Sequence, residues 1–180
     1  MSEIKKWDLL SEEDVSPSRW FPLFRHKVKL SNGHIMDDYY ISKLGDVAMV
    51  VPVTTENKLI FVRQYKHGIR EITLEFPAGI IEKGQSPDEA ALAELAQETG
   101  IVCDTVNLLG ELKPLPSKNF STLYGFVAKN VKITAKQQLD ISEEIEVLKL
   151  SEKEVEEKII CGEINCSDTI ALYLLYKLKS

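Results

Sequence analysis

One helix in the middle of this chain is marked at both ends by local chemistry. Residues 79–101 read GIIEKGQSPDEAALAELAQETGI. Ser86 is a good N-cap, Pro87 suits the first helical position, and Glu89 completes an S-x-x-E capping box. Gly100 fits the left-handed position that ends a helix. These signals predict a helix over about residues 87–99. The chain on either side reads as strands. FRHKVKLSNGHIMDDYYISK alternates in HKVKL, turns at Asn32-Gly33 and enters a second apolar run, which is a hairpin pattern. DVAMVVPVTTENKLIFVRQY gives two more strands around Glu56-Asn57, and ITLEFPAG gives a short one ended by Pro77 and Gly79. Further strands are expected at about 105–113, 120–130 and 144–150. SEKEVEEKIICG reads as a helix capped by Ser151 and ended by Gly162, and SDTIALYLLYKLKS as a last helix capped by Ser167 or Asp168. The polar first 15 residues read as a loose arm or a short edge element. Strands around one central helix, with two helices at the end, describe an α+β chain whose mixed sheet is covered by helices. They do not describe a doubly wound fold.

A chain of 180 residues fits one domain, or one domain with a small extension. The formal net charge of −6 disfavours nucleic acid as a partner, because phosphate backbones are met by a basic footprint. It leaves room for an anionic small molecule held through metal ions. No run of 18 apolar residues predicts a membrane helix, and MSEIKKWDLLSEEDV lacks the apolar centre of a signal peptide. Cys103, Cys161 and Cys166 are odd in number and lack CxxC spacing, so a reducing, cytoplasmic location is expected. His26, His34 and His67 are scattered and read as surface or turn residues rather than zinc ligands.

Glu94 and Glu98 stand four apart, so both carboxylates project from one helix face. Like charges at that spacing repel by a few tenths of a kcal/mol, about what a solvated face tolerates. A divalent cation would reverse the sign, since Mg²⁺ is held by one or two carboxylates with water and phosphate completing its shell. On helix spacing alone both readings stand.

The surroundings resemble a known family. Residues 79–101 resemble the Nudix box, G-x5-E-x7-R-E-U-x-E-E-x-G-U with U a large aliphatic, through Gly79, Glu94, Leu95, Glu98, Gly100 and Ile101. VRQYKHGIREITLEFPAG is similar to the Q-Y-R…L-E-x-P-A-G segment of the ADP-ribose pyrophosphatase branch. EEIEVLKLSEKEVEEKIICGEINCSDTIALYLL is similar to that branch's late strand, helix, G-x-I turn and final helix. The likeness spans about residues 20–176, and the three signatures come in the family's order.

That resemblance implies a Nudix fold, with a mixed sheet sandwiched by helices and an N-terminal antiparallel β extension. It implies residues 1–44 as the extension, used for dimerisation and base stacking, and residues 45–180 as the hydrolase domain. It implies metal-dependent attack of water on the diphosphate of ADP-ribose or a related nucleoside diphosphate sugar, with Mg²⁺ or Mn²⁺ as cofactor. The implied metal ligands are Glu94, Glu98 and the carbonyl of Ala78, with Glu98 counted also among the catalytic groups. The implied general base is Glu143 on the late acidic loop, with Glu144 as the alternative. A plain solvated loop remains the other reading of LDISEEIE. Lys66 would meet the phosphates, Glu75 would be the acid beside them, and Trp20 and Tyr39 would stack the base, with Tyr40 close behind. For Trp20 an anchor in an N-terminal core is the competing reading, and for Glu75 an ordinary half-buried strand residue. The branch implies a homodimer with swapped N-terminal strands, and neither nucleic acid nor membrane as partner.

The sequence departs from the box at Gln85, Ala93 and Gln97, where the pattern has Glu, Arg and Glu. Two negative charges and one positive charge are lost together, a local change of +1. Gln97 cannot act as an anionic ligand, so fewer ions and a slower enzyme are expected. KPLPSKNFSTLYGF lacks the branch's P-G-x-S run, so the substrate loop there differs. A Nudix scaffold that binds or senses a nucleotide sugar, with weak turnover or none, is the alternative.

Overall fold

A computed structural model describes residues 4–179. The chain divides into two compact units, residues 1–45 with 113–121, and residues 46–112 with 122–180.

In the first unit β1 (Asp8–Asp14), β2 (Leu23–Lys29) and β3 (Ile35–Ser42) form an antiparallel sheet in that order. The β2–β3 turn holds Gly33 at a φ of 86°, the left-handed conformation glycine adopts without strain. Alternation along β2 buries His26 and Val28 on one face. His26 is therefore no surface histidine: its ring meets Glu12 at 2.9 Å, and Lys43 meets the same carboxylate at 2.9 Å. β1 pairs with β2 along one side and is exposed throughout.

The second unit is built on β4 (Val47–Thr54), β5 (Leu59–Lys66), β6 (Glu71–Glu75), β7 (Ala78–Ile80), β8 (Asn107–Leu112), β9 (Leu123–Val131) and β10 (Ile145–Leu150), with α1 (Pro87–Thr99), α2 (Glu152–Ile160) and α3 (Ser167–Lys179). Strand order is β10-β5-β4-β9-β8, with β6 on β5 and β7 on β4. β4 and β9 run parallel and the other pairs antiparallel, which makes the sheet mixed.

Strand β4 is buried almost throughout because both its faces are covered. Met49, Val51 and Val53 join one core with Phe61, Phe76, Leu172 and Tyr176, on the side of α2 and α3. Ala48 and Val50 join the other with Ala90, Ala91, Leu95 and Phe126, on the side of α1. Gly125 lets α3 lie close, since a Cβ there would strike Leu172. α3 starts at Ser167, one residue earlier than a Ser167 cap implies and two earlier than an Asp168 cap. The carbonyl of Cys166 accepts from Ile170 N–H at 3.1 Å, so Ser167 already lies in the first turn.

Candidate active site

Local capping sets the start of α1. Glu89 N–H donates to Ser86 Oγ at 3.4 Å, and Ser86 N–H donates to the Glu89 carboxylate at 2.8 Å. Gly100 ends the helix at a φ of 70°, its N–H bonded to Ala96 O. This frame turns Glu94 and Glu98 to one face, but burial separates them. Glu98 is 3% exposed, Glu94 is half-buried and Gln97 is exposed.

Two neighbours on β7 shape the acids. Glu98 Oε2 accepts from Ala78 N–H at 3.0 Å. Gly79 lies beside Glu94 so closely that a Cβ would collide with its carboxyl group. Glycine is required there for room, since its φ is not left-handed. The contact the structure gives Ala78 here runs through its N–H. Short strand β7 was not separable from β6 in the sequence; it forms because Ala78–Ile80 pairs with Val47–Met49 of β4.

The electrostatics follow from this crowding. Burial pushes the Glu98 carboxyl up to about 8; the Ala78 N–H opposes the shift and Glu94 adds to it. Glu94 is raised by burial, then by Glu143, Asp140 and Glu82, while Lys66 pulls it down. Lys66 Nζ lies 3.8 Å from Glu75 Oε2, and the Glu75 side chain is 12% exposed. The other Glu75 oxygen accepts from Cys166 Sγ at 3.2 Å. Burial, then Glu75, pushes the Cys166 thiol up to about 12, and Asp168 is raised by burial and by Glu75.

Loop 139–144 brings in a third acid. Glu143 N–H donates to Asp140 O, and Asp140 N–H donates to Glu143 Oε2, each at 3.0 Å. Glu143 raises both Glu94 and Glu98, so the three acids share one electrostatic neighbourhood with Lys66. Glu143, Glu144, Gln64 and Tyr65 line an open cavity of about 550 Å³.

Glu94, Glu98, Glu143, Lys66 and Glu75 are thus collected in the second unit. Trp20 and Tyr39 lie in the first. Trp20 is 78% exposed with the Arg19 guanidinium 4.5 Å above its ring, so it is no core anchor. Tyr39 bonds Ser117 O, meets the edge of Trp7 at 5.7 Å and carries Lys118 over its face. Tyr40 is exposed.

Glu94 and Glu98 offer a hard cation two carboxylates on one helix face and leave the rest of its shell open. A carboxylate buried without a paired cation is costly, and the raised acids on α1 record that cost. Glu94 and Glu98 would hold the ion, with water and substrate phosphate completing the shell. Among the described residues no group of three or more His, Cys, Asp or Glu is arranged to hold a metal. That limits the protein's own share of the ligands.

Sequence reasoning missed several neighbours. Glu82 and Asp140 both act on Glu94; Asp140 stands in the acidic stretch LDISEEIE, and nothing in the sequence singles out Glu82. In the sequence Cys166 is a plain thiol and Asp168 one of two candidate caps; Cys166 Sγ reaches Glu75 and Asp168 feels its charge across about ninety residues of chain, with no local signal.

Comparison with known proteins places these features in a family. The NUDIX domain family model matches residues 43–160, and the model of the nucleoside diphosphate sugar hydrolase N-terminal domain matches residues 7–42. An ADP-ribose pyrophosphatase of Bacillus subtilis (strain 168) is 29% identical over 143 residues, 79% of this chain and 77% of that protein. A methanol dehydrogenase activator of Bacillus methanolicus is 30% identical over 152 residues, 84% of this chain and 82% of that protein. A crystal structure of an ADP compounds hydrolase shares the fold with a TM-score of 0.85 at 24% identity, covering 98% of this chain and 95% of that one.

Proposed function

The chain belongs to the Nudix family, and on that premise we propose that it hydrolyses the diphosphate of ADP-ribose, or of a closely related nucleoside diphosphate sugar, with Mg²⁺ or Mn²⁺. The products are a nucleoside monophosphate and a sugar phosphate. The observation that carries this reading is Glu98: a buried acid, raised to about 8, on the same helix face as Glu94 and within the influence of Glu143.

The bound ion supplies charge neutralisation at the diphosphate oxygens. This chain's residues do the rest. Glu143 accepts a proton from the attacking water as the new P–O bond forms and the bridging P–O bond breaks. Lys66 meets a phosphate as a point charge, and Glu75, between Lys66 and Cys166, holds that ammonium in place. Glu144, exposed beside Glu143, is the second candidate base. Trp20 and Tyr39 offer aromatic faces for the base, a contact that tolerates base identity.

The same reading takes residues 1–44 as an extension serving dimerisation and base stacking, 45–180 as the hydrolase domain, and the assembly as a cytoplasmic homodimer with exchanged N-terminal strands. It is supported by β1, whose Leu9 and Leu10 are exposed on a strand paired along one side. Among the described residues no helix is long and apolar enough to cross a membrane.

A second reading, a nucleotide-sugar binding or sensor protein, is favoured by Gln97, exposed and neutral at a box position, and by the sparse acid set. One experiment separates the two. ADP-ribose, GDP-mannose, ADP-glucose and dinucleoside polyphosphates are incubated with the full chain and Mg²⁺ or Mn²⁺, and monophosphate products are measured. Turnover greatest on ADP-ribose supports the first reading. Binding without turnover on every compound rejects it.

A further inference from the structure

The C-terminal end of α1 is completed by a distant segment. A helix end leaves four carbonyls without partners inside the helix. No basic residue stands in the last turn of α1 to meet them. Gly100 N–H reaches Ala96 O, and Thr99 Oγ1 donates to Leu95 O. Residues 134–138 supply further partners. Gln138 N–H donates to Gln97 O at 2.9 Å, and Gln137 Nε2 donates to Glu98 O at 2.7 Å. Thr134 and Ala135 N–H both donate to Gly100 O at 2.9 Å. The approach is so close that a Cβ on residue 100 would strike the Ala135 carbonyl.

Gln137 makes one bond more. Its Nε2 also donates to Ile145 O at 3.1 Å, at the first residue of β10. One amide group thus joins the backbone of Glu98, the start of β10 and, through its own chain, the base of loop 139–144. The loop's own bonds, between Asp140 and Glu143, fix the shape of its turn. They do not fix where that turn stands relative to α1.

We infer that Gln137 is a positioning residue: its amide straps the acidic loop to α1 and so sets Glu143 against Glu94 and Glu98. The inference rests on Glu143 as the general base. A long-range clasp suits that task, because a base displaced by about 1 Å loses much of its rate while substrate binding elsewhere is untouched.

The test uses the full chain. Gln137→Leu removes both hydrogen bonds. It is expected to lower kcat on ADP-ribose with Mg²⁺ about tenfold while KM stays within about twofold. Cleavage after Glu143 or Glu144 by a glutamate-specific protease is expected to quicken about fivefold, because the loop opens more often. Gln137→Lys keeps a donor, one bond further out, and is expected to restore slow cleavage. Should Gln137→Leu fail to fold, Gln137→Asn, one methylene short, carries the same expectations. Unchanged cleavage in a folded variant overturns the strap, with or without turnover in the wild type. Faster cleavage with unchanged kcat overturns the positioning role and leaves the amide a structural clasp, while the Glu143→Gln variant tests the base by itself.

Discussion

The backbone N–H of Ala78 donates to Glu98 Oε2 at 3.0 Å, joining β7 to α1 through an acid with almost no access to water. One backbone donor offsets part of the cost of burial, and the Glu98 carboxyl still sits near 8. Glu98→Gln removes the buried charge and keeps an oxygen for Ala78. The metal-free variant is expected to be at least as stable as wild type at pH 8, yet to lose the rise in thermal midpoint on adding Mg²⁺. Thermal unfolding with and without Mg²⁺ checks both halves.

The pH dependence follows from the same group. The folded carboxyl binds its proton up to about 8, whereas the unfolded one releases it near the ordinary 4.5. Between these values the native state holds more protons, so stability falls as pH rises. The contribution is complete below 4.5 and lost as pH passes through about 8. Metal-free protein is therefore expected to show a declining thermal midpoint from pH 5 to pH 8, and Glu98→Gln a flatter one. Because a metal must displace that proton, Mg²⁺ affinity is expected to increase over the same range.

Gly79→Ala tests the packing of Glu94. The added methyl would occupy the space of the Glu94 carboxyl group. Either the side chain swings away or β7 shifts on β4. The variant is expected to weaken Mg²⁺ binding by about tenfold or more, comparable to loss of a supporting contact at a metal site. Isothermal titration with Mg²⁺ reads this directly.

Glu143→Gln tests the base. A positioned base contributes about 10²–10⁴ in rate. Turnover is expected to fall by that order with KM nearly unchanged. The same result from Glu144→Gln, with Glu143→Gln fully active, would move the assignment by one residue.

Parts of this structure were legible in the sequence because their causes are local. Ser86, Pro87, Glu89 and Gly100 bound α1 where the caps do, since each signal acts within one turn. The i, i+4 spacing put Glu94 and Glu98 on one face. It did not show that Glu98 is buried and Gln97 exposed, because burial depends on where β7 and β4 pack. The Asp140–Glu143 turn lay within a recognised acidic loop, but its attachment through Gln137 crosses about forty residues of chain and had no pattern to announce it. The start of α3 lies one or two residues before the positions its caps suggest, because Ser167 and Asp168 are both good caps and the Cys166–Ile170 bond sets it.

Cleavage of a nucleoside diphosphate by this chain is proposed to need Glu143 together with an ion held by Glu94 and Glu98 of α1. AMP formation from ADP-ribose, measured by chromatography with Mg²⁺ and again with excess chelator, tests it most directly. AMP and ribose 5-phosphate are expected in equal amounts with Mg²⁺, and neither with chelator. Equal product formation in both, or ADP-ribose bound but uncut in the presence of Mg²⁺, would contradict it.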